Sequence, residues 1–191
     1  MTEDEWLSEE PHPQFMWHQL STLRAPRTKA GRRKLRLLAC GACRLIWSYL
    51  TDTRLARAVE VAERFADGQA KPTELASVGR AIDGLRVYRA DATIPPQLVS
   101  LVYATTEEKP FSAAMWVTAY ERPFAGHLGD APTEHRVVRS IFRDIFGNPF
   151  RPVALSPSWR TEAVVALARA MYDARDFAAL PVLADALDDA G

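Results

Sequence analysis

Apolar side chains recur every three or four positions along most of the chain, and this spacing is the period of an α-helix. The pattern is clear over 34–50 and again over 53–66, where apolar residues mark one side of each segment. Asp52 precedes the second segment as a predicted N-cap, and Gly68 follows it as a predicted C-terminal cap. We therefore expect an antiparallel pair of helices joined by a short loop.

The helical spacing resumes after residue 70 and continues along the rest of the chain. We expect further helices to begin near Pro72, Pro96, Phe111, Thr133, Thr161 and Phe177. Gly79 and Gly84 weaken the first of these helices by up to about 1 kcal/mol each relative to alanine, so it must depend on tertiary packing. Proline- and glycine-rich connectors separate the later segments at 122–132 and 147–159. No alternating pattern is long enough to require a strand, although 153–156 is a brief candidate.

These patterns predict an all-α protein, a compact single-domain helical bundle of about seven to nine helices with irregular Pro/Gly-rich connectors. Its 191 residues, 48% of them hydrophobic, suit one domain with a substantial core. Lys and Arg together number 24, as do Asp and Glu, so the bulk charge predicts no polyanion partner. We expect a cytoplasmic protein without membrane association, because the chain lacks a long apolar run, a signal-peptide pattern and a disulfide framework.

Cys40 and Cys43 are the only two cysteines, and their spacing places both thiols on one face of a helix. A structural zinc ion needs four ligands, and no second pair of cysteines is present. The remaining candidate ligands are the scattered histidines His12, His18, His127 and His135. A redox pair would sit at a helix N-terminus, whereas Cys40 lies within the helical pattern. We favour two packed core residues, with a zinc site as the alternative.

A basic segment at 24–36 carries seven positive charges and no acidic residue. Such a segment can hold phosphates or an acidic surface. No aromatic residue interrupts it, so a stacking platform for single-stranded nucleic acid is missing. We favour a solvent-exposed segment that leads into the helix and whose positive charge the acidic N-terminus can neutralise. Polyanion binding is the alternative. The candidate residues are Arg24, Arg27, Lys29, Arg32, Arg33, Lys34 and Arg36.

The segment RDIFGNPFRPV, 143–153, has the composition of an ordered loop. A left-handed turn is expected at its glycine and asparagine, and its two phenylalanines are expected to point inward. Its charged residues predict a structural ion network, and the alternative is an anion clamp formed by two arginines. The residues concerned are Arg143, Asp144, Gly147, Asn148, Pro149, Phe150 and Arg151.

The aromatic residues at helical spacing are expected in the core. They are Trp6, Phe15, Trp17, Trp47, Trp116 and Trp159. Trp6 and Trp17 lie near the N-terminus, where they either fix this segment to the body of the protein or contact a partner. The sequence contains no nucleophile elbow, zinc-protease motif, P-loop or dinucleotide-binding glycine motif. We therefore consider an enzymatic function less favoured than a binding function.

Several stretches resemble a large, uncharacterised family of bacterial proteins that occur as many paralogues in one genome. They are EWL at the N-terminus, KLRLLACGACRLIW, AVEVAERFADG, RDIFGNPFRPV and LPVLADALDDAG. The resemblance implies no known activity. It does imply a further cysteine near the first pair and a tail bearing Cys and His, neither of which this sequence has, so the expectation of zinc is lower.

The resemblance also implies a division of the chain. We expect an N-terminal segment over 1–33, a helical pair over 34–69, a variable helical insert over 70–132 and C-terminal helices over 133–191. A variable insert suits the choice of different partners, and the expected function is a non-catalytic protein–protein interaction module with an unknown protein partner. The alternatives are nucleic-acid or polyanion binding through 24–36, and a small zinc-binding protein using Cys40 and Cys43.

Overall fold

The computed structural model describes residues 1–9, 12–22, 27–88, 96–118, 131–152 and 156–191. Within them the regular structure is entirely helical, so the all-α prediction is confirmed. The α-helices are α1 Glu3–Leu7, α2 Pro13–Thr22, α3 Lys29–Leu45, α4 Thr53–Ala66, α5 Pro72–Tyr88, α6 Pro96–Thr106, α7 Phe111–Thr118, α8 Ala131–Phe146, α9 Glu162–Ala174 and α10 Leu180–Asp188. Short 3₁₀ helices span Trp47–Tyr49 and Pro157–Trp159. The shortest α-helix, α1, is too short to show a helical period in sequence.

Local capping chemistry sets several helix ends. The Asp52 side chain accepts a hydrogen bond from the backbone N–H of Arg54, and Thr161 caps α9 in the same way through Val164. Gly68 adopts a positive φ of 76° just after α4, as its predicted role requires. These three predictions are confirmed.

Two predicted helix starts are displaced. The pattern placed the first long helix from residue 34, but α3 begins at Lys29, where the Thr28 hydroxyl accepts a bond from the Gly31 N–H. The basic residues from 29 onward therefore lie on the helix itself rather than before it. Thr133 was expected to cap α8, which instead begins at Ala131. The connector at 122–130 and most of the strand candidate at 153–156 lie outside the described residues.

The contacts divide the chain into two compact units, Met1–Phe150 and Arg151–Gly191. In the first unit α3 is central and packs against α4, α6, α7 and α8. The helix α6 is the most enclosed, since eight of its eleven residues are buried. The second unit contains α9 and α10, which pack against each other. The single domain and its four-part division stay predictions.

Candidate functional site

Cys40 and Cys43 lie in the hydrophobic core of the first unit, with 1% and 0% of their surfaces exposed. Burial raises the pKa of both thiols, and the nearby Glu63 carboxylate raises it further. Both thiols are therefore protonated at neutral pH, whereas a zinc ligand or a nucleophile must be a thiolate. The predicted burial is confirmed. Across the described ranges no group of three or more His, Cys, Asp or Glu side chains is placed to hold a metal ion.

Arg36 is the only buried residue among the described arginines and lysines of the basic segment, with 3% of its surface exposed. Its guanidinium donates to the carbonyl of Thr105 at 2.5 Å and to that of Glu108 at 3.3 Å. It also lies 4.8 Å from the centre of the Phe65 ring. The last carbonyls of a helix have no partner within the helix, so Arg36 acts as a buried cap for the C-terminus of α6.

The other basic residues divide between structural contacts and solvent. Arg33 pairs with Asp67 at 2.7 Å and also donates to the carbonyl of Ala66. Lys34 lies 5.7 Å from the centre of the Phe146 ring. The residues exposed among those described are Arg27, Lys29, Arg32 and Arg33, while Arg24 lies outside the described ranges. The surface left for a polyanion is therefore smaller than the sequence alone indicates.

Trp6 fixes the N-terminal helix to the body of the first unit, because its side chain is completely buried. Arg143 on α8 donates hydrogen bonds to the Trp6 carbonyl at 3.0 Å and to the Ser8 carbonyl. The Glu9 carboxylate lies 3.5 Å from Arg143 and 3.3 Å from Arg139. The acidic N-terminal segment therefore meets arginines of α8, which are not part of the basic segment at 24–36.

The loop after α8 takes part in the same attachment. Gly147 has the positive φ expected of it, 69°. The Asn148 amide donates to Glu3 at 2.6 Å, and its carbonyl oxygen accepts from the Phe150 N–H at 2.9 Å. Phe150 packs partly buried against the core. These contacts are those of a structural loop.

The remaining loop residues occupy different settings. Pro149 is half-buried, whereas Asp144 is exposed at the end of α8. Arg151 is exposed and belongs to the second unit. Arg143 bonds to α1 as described, and an anion clamp formed with Arg151 stays a prediction.

A groove of about 570 Å³ lies beside α1 and α2. Its lining includes Glu5, Ser8, His12, Phe15, His18 and Gln19. Phe15 is 63% exposed, so the prediction that it lies in the core was wrong. Glu5 accepts a hydrogen bond from the Thr2 N–H, and His12 Nδ1 accepts one from the Gln14 N–H. The rings of His12 and His135 meet edge to face with their centres 4.3 Å apart. Glu5 and His12 thus each satisfy a backbone N–H near the start of a helix. We assign no chemistry to the groove.

The second unit presents a different feature, a group of large apolar side chains that face solvent. We call them the hairpin surface, after the hairpin formed by α9 and α10. They are Val165, Tyr172, Phe177, Leu180 and Val182, with exposed fractions of 44%, 47%, 52%, 52% and 57%. Half of the ten exposed large apolar residues of the described chain thus lie in about a fifth of its length. Four of the five lie in the connection between the two helices or in the helical turn on either side of it.

The backbone at that turn is also unusual. Arg175 adopts a left-handed conformation with φ 52°, the only positive φ outside glycine among the described residues. The turn is closed by bonds from the Arg175 N–H to the Tyr172 carbonyl and from the Asp176 N–H to the Met171 carbonyl. A side chain other than glycine is disfavoured in this conformation, and such strain is concentrated at functional sites.

The hairpin surface was missed in the sequence, where this part of the chain was predicted only to be helical. A signal was nevertheless present. Apolar residues occupy nearly every side of α9, as AVVALARAMY shows, and a helix that is apolar all round needs more than one covering surface. Only Val164 and Met171 are buried among the described residues of this unit.

No family model, no curated protein and no solved structure matches the chain. The resemblance to a bacterial family therefore stays a prediction. Separately, no helix in the described ranges combines the length and apolar character needed to cross a membrane.

Proposed function

We propose that the protein is a non-catalytic protein–protein interaction module that binds its partner through the hairpin surface. The observation that carries this proposal is the concentration of five half-exposed apolar side chains in the smaller unit. Isolated apolar residues are common on protein surfaces, whereas a group of them marks an interaction site.

The composition of the hairpin surface supports this role. Tyr172 and Phe177 are aromatic residues of the kind enriched at the centres of protein interfaces. Val165 and Tyr172 are seven residues apart on α9, so they lie on the same side of the helix two turns apart. Phe177 and Leu180 are joined by a backbone hydrogen bond of 3.1 Å at the turn. The turn therefore holds the backbone of an aromatic and of an aliphatic residue in a fixed relation, so less backbone freedom is lost on binding.

Site-specific photo-crosslinking tests the proposal in the cells from which the chain originates. A benzophenone amino acid replaces Phe177 in the full chain, and the matched control carries it at Phe15, an exposed phenylalanine of the first unit. We expect a discrete cross-linked product from position 177 that excess unlabelled wild-type protein suppresses. Equal or absent products from both positions would contradict the proposal.

A further inference from the structure

The area of the hairpin surface matches what one half of a homodimer interface needs. Five side chains of this size at about half exposure offer on the order of 400–500 Å² of apolar area per copy. A standard interface buries about 800 Å² per partner, and about 65% of that is apolar in homodimers, or roughly 500 Å². The exposed apolar area of one copy is therefore of the size that a homodimer interface uses per subunit.

The charges around the turn are of both signs. Arg169 and Arg175 alternate with Asp173 and Asp176 along the chain, and all four are exposed. A two-fold axis brings the same patch of two copies together in opposite directions, so arginines of one copy can face aspartates of the other. A partner with one dominant sign of charge would be repelled by either the arginines or the aspartates of this surface while it was attracted by the others.

The bulk properties of the chain favour the same occupant. Its formal net charge is zero, so two copies do not repel each other at long range. The second unit is close to the size below which a chain usually needs disulfides, metals or association to remain folded. It has no cysteine, and only two of its described residues are buried. Association of two hairpins into four helices supplies the missing core.

We infer that the occupant of the hairpin surface is the hairpin surface of a second copy of this chain. This inference rests on the proposed function and names its partner. The resulting dimer is isologous, with Tyr172 and Phe177 of each copy at the centre and the four charged residues at the rim.

Sedimentation equilibrium of the full chain over a range of micromolar concentrations tests the inference. We expect wild type to associate reversibly to a dimer, and Phe177→Asp to weaken association by roughly tenfold or more. Phe15→Asp is the matched control, because it makes the same change at an exposed phenylalanine of the first unit. It should associate like wild type. If Phe177→Asp does not fold by circular dichroism, Val182→Asp replaces it, since Val182 is the most exposed of the five residues.

Two results would overturn the inference: a wild-type chain that stays monomeric at every concentration, or equal weakening by both aspartate variants. The crosslinking experiment separates this failure from that of the proposed function. A product at twice the 21.3 kDa mass of the chain supports the second copy. A monomeric chain whose position 177 cross-links to a protein of another mass overturns the inference and leaves the proposed function standing.

Discussion

Gly79 of α5 and Thr106 of α6 approach each other so closely that a methyl group on Gly79 would lie 2.9 Å from the Thr106 hydroxyl oxygen. The Thr106 Cβ would be only 3.3 Å away. The threonine has little freedom to move, because its hydroxyl donates to the Tyr103 carbonyl at 2.7 Å and its branched side chain has few rotamers. Glycine is thus required here by helix packing.

We expect Gly79→Ala to lower the free energy of unfolding by about 1–2 kcal/mol. Overpacking costs about 1–3 kcal/mol, which exceeds the gain in helix propensity of up to about 1 kcal/mol. Urea denaturation measures the difference.

Gly84 provides the control on the same helix. A methyl group there would meet no atom of the described residues within 4 Å, so Gly84→Ala should raise the free energy of unfolding by about 0.5–1 kcal/mol. Stabilisation by both substitutions would show that α5 and α6 are further apart than described.

Arg36 provides a second prediction, since its buried guanidinium satisfies carbonyls at the end of α6. Arg36→Met keeps an unbranched apolar stem and removes every donor. We expect a loss of about 2–4 kcal/mol, because the buried Thr105 carbonyl loses its bond to Arg36 and the charge is removed from its cavity. Arg32→Met is the control: Arg32 is exposed on the same helix, and its replacement should change stability by less than about 0.5 kcal/mol. Similar losses in both variants would argue against the buried cap.

The sequence revealed eight of the ten described α-helices and several of their ends, because period and capping are local properties, whereas α1 and α2 were not predicted. Asp52, Gly68 and Thr161 could be assigned from neighbours within a few residues. The start of α3 at Lys29 was harder to predict, because its first turn is basic and shows no apolar period.

The role of Arg36 could not be predicted, since its partner Thr105 lies 69 residues away along the chain. For Trp6 the sequence left attachment and partner contact open, because the bond from Arg143 that attaches it spans 137 residues. The hairpin surface was missed for a different reason. Helical spacing identifies which residues share a side, but it does not say whether that side faces the core or solvent.

Glu9 makes stability depend on pH. The hydrogen bond from Arg139 is the largest cause that holds the pKa of this carboxyl below its usual value of 4.5, and Arg143 adds to the effect. An acid whose pKa is lower in the folded state stabilises the protein above its unfolded pKa, and this stabilisation is lost as pH falls through the folded pKa. The stability difference between wild type and Glu9→Gln should therefore be constant above about pH 5 and shrink below pH 4.5. Urea titrations at a series of pH values measure it, and a flat difference down to about pH 3 would contradict the pairing.

Cys40 and Cys43 should resist thiol reagents in the folded protein. Both thiols are buried and protonated, so labelling must wait for unfolding. We expect labelling by an aromatic disulfide to be at least about a hundredfold slower than in urea-unfolded protein, as expected when opening is a minor population. Rapid labelling of one cysteine under native conditions would show that α3 is accessible there.

The same cysteines test the zinc alternative through native mass spectrometry of freshly purified protein. We expect wild type and the variant with both cysteines replaced by alanine each to show the mass of the protein without metal. We also expect the variant to stay folded. A zinc adduct in wild type that this variant loses would instead assign a metal to the pair.

Arg175 gives the last prediction, since its left-handed conformation is the strained point of the hairpin turn. Arg175→Gly removes the steric penalty of the side chain, which is of the order of 1–2 kcal/mol, while glycine loses about 0.5–1 kcal/mol through the greater freedom of the unfolded chain. We expect a net gain of about 0.5–1 kcal/mol in the free energy of unfolding. Arg160→Gly is the matched control in the same unit, because Arg160 has an ordinary φ of −87°. Arg160→Gly should lower the free energy of unfolding. If it raised this free energy as much as Arg175→Gly does, relief of backbone strain would not be the cause.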